Sequence, residues 1–315
     1  MKGNTREQLL LAGAFAAVYV VWGSTYLVNY IAIQEIPPFL MSGMRFCLAG
    51  ALLMGLTMLQ GKPWPTPEQW KYGAITGFLF LAVGTGLVVW AEQYIDTGLA
   101  ALFVAFEPLL VVLMVWMRRA QRPGWNSILG IATGVGGMLL LVGQPRFHND
   151  PQTWMGIGAI SIGILSWGFA SLYVTEVNLP VSRMQTASMQ MLGGGVVLLF
   201  AGFAIGEHRG FSLLQVSQKG WFAFSYLIVL GSWLAFSAFN YLLVKVSPEK
   251  VATTNYVNPV VALFLGWALN DEELTFQSIL AAILLLGGVF FINSRFVRGR
   301  TVKIPLFSKK KTETL

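Results

Sequence analysis

The chain contains eight stretches of at least 20 residues that carry no charged side chain. They are Leu9–Gln34, Tyr72–Ala91, Pro123–Pro145, Pro151–Thr175, Met184–Gly206, Gly220–Val244, Val251–Asn270 and Leu274–Ser294. A helix needs about 20 mostly apolar residues to cross a bilayer, because the hydrocarbon core is about 30 Å thick and each residue rises about 1.5 Å. Backbone polar groups in lipid must be hydrogen-bonded internally, so these stretches predict membrane-spanning helices.

Two further apolar segments each contain one charge near the middle. Pro37–Leu59 contains Arg45, and Thr97–Met117 contains Glu107. With them the sequence predicts an all-α polytopic membrane protein with ten transmembrane helices. The composition agrees, because only 11% of the residues are charged, against roughly 25% in soluble domains. Most soluble enzymes are thereby excluded, and we expect no nucleic-acid partner.

The distribution of basic residues predicts the orientation of the helices. If the N-terminus is cytoplasmic, Arg146, Arg209 and Lys219 are the basic residues of the non-cytoplasmic connections, and Arg45 lies within a helix. The rest of the 21 Lys and Arg residues then lie on the cytoplasmic side, as the positive-inside rule requires. We therefore expect both termini to be cytoplasmic, with residues 295–315 as a basic cytoplasmic tail.

The second half of the chain resembles the first. Gly98–Val142 aligns with Glu249–Asn293 without gaps, which pairs Pro108 with Pro259 and two consecutive glycines in each copy. The alignment predicts two five-helix repeats, residues 1–145 and 146–294. Because five is an odd number, the second repeat must be inverted in the membrane. Inverted repeats are typical of secondary transporters, whose substrate site lies near the midplane.

Glu107 is the most informative candidate residue. A carboxylate at mid-membrane depth costs roughly 2.5–3.5 kcal/mol unless it is paired, hydrated or protonated, and Pro108 frees a backbone carbonyl in the preceding turn. The repeat places Asn258 and Pro259 at the symmetric position, so a carboxylate and a carboxamide should face each other. Glu107 either binds a cationic substrate group or a proton, or forms a structural ion pair with Arg45.

Aromatic and polar residues within the helices complete the candidate substrate site. Trp22 and Trp167 lie deep in the first and sixth helices, where an indole face can stack on an aromatic solute or hold an ammonium group. The other candidate substrate-binding residues are Tyr26, Trp90, Asn240, Tyr241, Asn255 and Tyr256. Packing or interhelical hydrogen bonding is the alternative role for these side chains.

Gating or structural roles are predicted for Arg45, Pro108, Pro259 and Glu92. Direct binding of a substrate carboxylate is the alternative role for Arg45. Arg45 lies about 13 Å along the second helix, from where a long side chain can reach an interface. Glu92 ends the third helix, as either an ordinary interfacial charge or a guard of the cavity mouth.

The sequence contains no spacing that is typical of a catalytic or metal site. The one cysteine, Cys47, cannot form an internal disulfide. The two histidines, His148 and His208, lie in separate polar connections. We therefore expect no metal, no cofactor and no enzymatic activity. The alternatives are a membrane-embedded enzyme that acts on lipid-like substrates at an interface, and a structural or receptor-like subunit.

Several local motifs resemble those of one transporter family. The motifs are Trp22-Gly23-Ser24-Thr25-Tyr26, Pro37-Pro38 followed by Gly43-Met44-Arg45-Phe46, Ala91-Glu92, and Tyr256-Val257-Asn258-Pro259-Val260-Val261-Ala262. In this order they are similar to the EamA branch of the drug/metabolite transporter superfamily, and closer still to its YedA-like bacterial exporters. The resemblance covers residues 9–294. Two positions depart from the pattern: Asp271-Glu272 stands where the family usually has Gly-Glu, and Glu107 stands where a neutral residue usually precedes the proline.

The resemblance implies a carrier of the bacterial inner membrane that works by alternating access. We expect a secondary active exporter of small metabolites such as amino acids, amines, or cationic or aromatic compounds. Its partners would be the lipid bilayer and a small-molecule substrate, with the proton as candidate coupling ion. We expect a monomer or a homodimer.

Overall fold

A computed structural model describes residues 5–95, 97–119, 122–143, 150–180, 182–269 and 274–294. Within these ranges the regular structure is entirely helical. We number the helices α1 to α10: α1 (Thr5–Ala17, Val18–Trp22 and Gly23–Ile33), α2 (Pro38–Leu59), α3 (Pro67–Gly77, Phe78–Thr85 and Gly86–Ala91), α4 (Thr97–Val104 and Glu107–Arg119), α5 (Trp125–Val142), α6 (Pro151–Tyr173), α7 (Arg183–Ala204), α8 (Gln218–Tyr226, Leu227–Leu234 and Ala235–Lys245), α9 (Pro248–Ala252 and Thr254–Leu269) and α10 (Phe276–Asn293).

Eight of these helices are long and apolar enough to cross a membrane. The two others, α4 and α9, are interrupted, and neither contains a continuous helix of 18 residues. α2 is among the eight although Arg45 lies within it. α9 is not among them although its sequence is free of charge from Val251 to Asn270, because its helix is broken at Thr253.

Prolines and capping residues set where several helices begin. Pro38, Pro67 and Pro151 lie in the first turn, where an amide N–H would have no partner within the helix. Thr66 and Gln69 form a reciprocal capping box at the start of α3, which satisfies two otherwise unpaired amides. These local signals set the residue at which each of these helices begins.

Three helices contain π-helical segments: Val18–Trp22 in α1, Phe78–Thr85 in α3 and Leu227–Leu234 in α8. The π-helical segment of α8 begins and ends 149 residues after that of α3. Each of the three includes residues that line the central cavity described below. A π-helical turn is wider than an α-helical turn and is frequent at functional sites.

Corresponding helices of the two halves pack against each other. α2 contacts α7, and α5 contacts α10. The largest hydrophobic core cluster includes Phe46, Phe80 and Phe236, and a second includes Ile160 and Tyr256. Residues from both clusters lie around one central cavity.

Candidate functional site

A cavity of about 140 Å³ lies between the two halves of the chain. Side chains from α1, α2, α3, α4, α6, α8 and α9 line it, together with Glu92 directly after α3. Seven of the residues predicted from the sequence are in this lining: Trp22, Arg45, Glu92, Glu107, Trp167, Asn255 and Asn258. The folded chain therefore brings together the three charged candidates, the tryptophans of α1 and α6 and two of the asparagines.

Glu107 is buried, with 6% of its surface exposed. Its Oε2 accepts a 2.6 Å hydrogen bond from Nδ2 of Asn255. Glu107 begins the second part of α4, where unpaired amides of a helix N-terminus favour a negative charge. The expected carboxamide opposite Glu107 was that of Asn258. The observed partner is Asn255, about one helical turn earlier in the chain. Because α9 is broken at Thr253, Asn255 lies in the first turn of the second half of α9. Glu107 likewise lies in the first turn of the second half of α4.

Two buried oxygens of the cavity lining have no hydrogen-bond partner among the described residues. One is Oδ1 of Asn258, and the other is Oε2 of Glu92. Asn258 is 2% exposed. A buried acceptor without a partner costs about 1–3 kcal/mol. Both oxygens therefore have an acceptor lone pair that no described side chain or backbone group uses.

Arg45 is buried and is held by neutral groups. Its Nη1 donates to Oδ1 of Asn29 at 3.1 Å, and its Nε donates to Oγ of Ser232 at 2.6 Å. Within the described part of the chain, no ion pair joins Arg45 to Glu107. Asn29 and Ser232 were not predicted from the sequence, although both are polar residues within otherwise apolar stretches.

Aromatic rings form one wall of the cavity. Trp22 and Trp167 meet edge to face, with ring centroids 5.8 Å apart and planes at 77°. The indole Nε1 of Trp22 donates to the carbonyl oxygen of Gly231, within the π-helical segment of α8, at 3.2 Å. Trp167 also packs against Phe80, with ring centroids 4.9 Å apart. The two tryptophans from corresponding helices are therefore neighbours.

Four other candidate residues lie outside the cavity lining. Trp90 stacks on Phe39 with planes 3° apart. Asn240 is buried and donates to a carbonyl of its own helix. Tyr256 is fully buried and packs against α5. Tyr241 lines a second groove, between α1 and α8.

The two proline candidates occupy different positions in their helices. Pro108 follows Glu107 in the first turn of a half-helix, whereas Pro259 lies inside the second half of α9. The side chain of Tyr26 lies outside the described residues, as do His148 and Asp271-Glu272.

The lining of the cavity also includes the threonines Thr25, Thr85 and Thr254. These threonines were not predicted from the sequence, because threonine is common in apolar helices.

Known proteins resemble this chain over most of its length. The model of the "EamA-like transporter family" matches residues 9–143 and 154–294. The chain is 38% identical over 273 residues to "Uncharacterized inner membrane transporter YedA" of Escherichia coli (strain K12), covering 86% of each chain. It is 22% identical over 283 residues to "Uncharacterized transporter YoaV" of Bacillus subtilis (strain 168), covering 90% of this chain and 96% of that one.

A solved structure, named only "Crystal structure of protein", shares the fold. It is 17% identical to this chain in sequence. The superposition has a TM-score of 0.71 and covers 90% of this chain and 96% of that chain.

Proposed function

We propose, given that this chain belongs to the EamA-like transporter family, that it is a secondary active exporter of small metabolites and works by alternating access. The chain is a multi-pass transporter of the bacterial inner membrane. One observation carries the finer proposal: the cavity between the two halves, lined by charged, carboxamide and aromatic side chains. A substrate site at the interface between two repeats is typical of carriers that work by alternating access.

The charges of the cavity favour amines and other cationic or aromatic solutes. The lining contains two carboxylates, Glu92 and Glu107, and one guanidinium, Arg45. If both carboxylates are ionised, the cavity has one uncompensated negative charge. The indoles of Trp22 and Trp167 can add a cation–π attraction for an ammonium group. Protonation of either carboxylate would couple the same site to a proton gradient.

Contacts between helix ends support a ten-span topology, and the distribution of basic residues supports cytoplasmic termini. Ends that the topology places in the cytoplasm contact each other: Arg118 pairs with Glu176 at 2.6 Å, and Lys245 pairs with Glu7 at 2.5 Å. Ends that it places outside do likewise, as in the 2.6 Å hydrogen bond from the backbone N–H of Ser217 to Glu35.

The two ends of the interrupted helix α4 lie beside the two ends of α6. Ile95, just before α4, lies against Gly156 near the start of α6. Arg118, at the end of α4, pairs with Glu176 just after α6. Because α6 is long and apolar enough to cross the membrane, α4 would cross it too. Five spans in residues 1–145 and five in residues 146–294 would make the second repeat inverted, and the family model matches the two parts separately.

The test is solute flux in proteoliposomes that contain the full chain. A panel of amines, amino acids and aromatic cations is offered with and without an imposed pH gradient, and protein-free vesicles serve as the control. We expect accumulation of a cationic solute above equilibrium when the gradient is present. Equilibration without accumulation would contradict active transport, and no protein-dependent movement of any solute would contradict the carrier proposal.

A further inference from the structure

We propose that the groove between α1 and α8 binds one anionic phospholipid. The groove has a volume of about 410 Å³ and is separate from the central cavity. Its occupant would lie with the phosphate at Arg183 and one acyl chain along the two helices. This proposal does not depend on which solute the central cavity carries.

The shape of the groove suits a hydrocarbon chain. The residues that α1 contributes are Leu9, Leu10, Gly13, Ala14 and Ala17. Those that α8 contributes have the same spacing and are Trp233, Leu234, Ser237, Ala238 and Tyr241. Each stripe is therefore about 12 Å long. A Cβ added to Gly13 would have nothing within 4 Å, so the small residues of α1 leave open space between the helices.

The walls of the groove are apolar and open to the side. Leu9 is 69% exposed, Leu10 is 54% exposed and Leu234 is 47% exposed. In a membrane these side chains face lipid, because α1 and α8 are candidate spans. The occupant can therefore enter from the bilayer.

The mouth of the groove is positively charged. Arg183 lines it at the start of α7. Lys245 lies one turn beyond Tyr241, close enough to Arg183 for the two positive charges to interact. Glu7 pairs with Lys245, and no ion pair of Arg183 occurs within the described residues. The cluster therefore has one net positive charge, which complements a phosphate.

A hydroxyl lies between the charged mouth and the apolar depth. Oγ of Ser237 is buried without a hydrogen-bond partner among the described residues. Ser237 is one turn from Tyr241, about 6 Å along the helix axis. The order along the groove is then cation, hydroxyl and apolar wall, which matches the phosphate, ester and acyl chain of a phospholipid.

Native mass spectrometry of the detergent-purified full chain tests the proposal. The protein is incubated with equal amounts of phosphatidylglycerol and phosphatidylcholine, and we expect one phosphatidylglycerol to be retained. Arg183→Gln should weaken that retention roughly fivefold, since one basic residue near a charged lipid surface contributes about that factor. Arg209→Gln is the matched control, because Arg209 is exposed in the turn after α7, at the other end of the molecule.

A second pair of variants tests the groove itself. Gly13→Leu should fill it and reduce retention of both lipids, with thermal unfolding measured to show that the variant is folded. Ser237→Ala should weaken phosphatidylglycerol retention even if Gly13→Leu does not fold. Unchanged retention in Arg183→Gln, or equal retention of the two lipids by the wild type, would overturn the proposal. Loss of a dimer in Gly13→Leu with lipid retained would also overturn it and would assign the groove to a second copy.

Discussion

Glu107 is held in the membrane interior by one neutral partner, the carboxamide of Asn255. A carboxamide satisfies one lone pair of the carboxylate and leaves its charge uncompensated. Arg45 lines the same cavity, but its hydrogen bonds go to Asn29 and Ser232. A structural ion pair would have neutralised Glu107 permanently. The observed arrangement leaves its charge available to a solute or a proton.

Replacing Glu107 by glutamine removes this charge and keeps the size of the side chain. We expect Glu107→Gln to lower the transport rate of cationic solutes roughly tenfold or more, since hydrogen bonds to charged groups contribute about 1.5–3 kcal/mol. The measurement is initial flux in proteoliposomes at matched protein content. Glu68→Gln, at an exposed position in the first turn of α3, is the control. Full activity of Glu107→Gln would reject a binding or protonation role.

The consecutive glycines of α5 and α10 show how the two repeats pack. A Cβ on Gly137 would lie 2.8 Å from the backbone nitrogen of Leu285, and a Cβ on Gly288 would lie 2.7 Å from the carbonyl oxygen of Gly130. α5 and α10 therefore approach each other at backbone distance. Small residues at such interfaces are what allow membrane helices to pack closely.

The neighbouring glycines give a matched experiment. A Cβ on Gly136 or Gly287 would have nothing within 4 Å. We expect Gly137→Ala and Gly288→Ala to lower the thermal unfolding temperature in detergent. Gly136→Ala and Gly287→Ala should leave it unchanged or raise it, because alanine favours a helix over glycine by about 1 kcal/mol. Equal effects of the two pairs would contradict the packing of α5 against α10.

The arrangement of the whole molecule depends on which helix ends share a side of the membrane. The end contacts described above divide the connections into two groups. Glu207 adds to the outer group, since the backbone N–H of Leu40 donates to its Oε2 at 2.8 Å. Burial raises the pKa of Glu207, and the hydrogen bonds from Leu40 and Phe39 oppose that rise. These contacts link α1 with α8 and α2 with α7 on the predicted outer side.

Labelling of single cysteines tests this topology in intact cells. Cys47 is the one native cysteine, so Cys47→Ser provides the background. Leu214→Cys, at a position that is 98% exposed, should react with an impermeant reagent from outside. Gln60→Cys, between α2 and α3, should react only after the membrane is permeabilised. The opposite pattern would invert the topology. Thr314→Cys should behave like Gln60→Cys, although Thr314 lies outside the described residues.

Local sequence was sufficient to predict the family and the membrane class, which the family match confirms. It also predicted the eight helices that are long and apolar enough to cross a membrane. The physical reason is the large cost of a charge or an unpaired backbone group in lipid, which makes long apolar stretches unambiguous. The same cost makes Glu107 and Arg45, the two charges within otherwise apolar segments, the strongest candidates for a functional or structural role. The inverted topology and the roles of the site residues remain predictions.

Only the tertiary structure decided which polar side chains meet. Successive residues of a helix are rotated by about 100° around its axis. The position of a break in the helix therefore decides which face each later side chain occupies. The break at Thr253 makes Asn255, instead of Asn258, the partner of Glu107. The packing of α1 and α8 against α2 surrounds Arg45 with neutral partners. The contact between α1 and α8 places Tyr241 in a lateral groove instead of the cavity. These outcomes depend on contacts between residues far apart in the chain, which apolar periodicity does not encode.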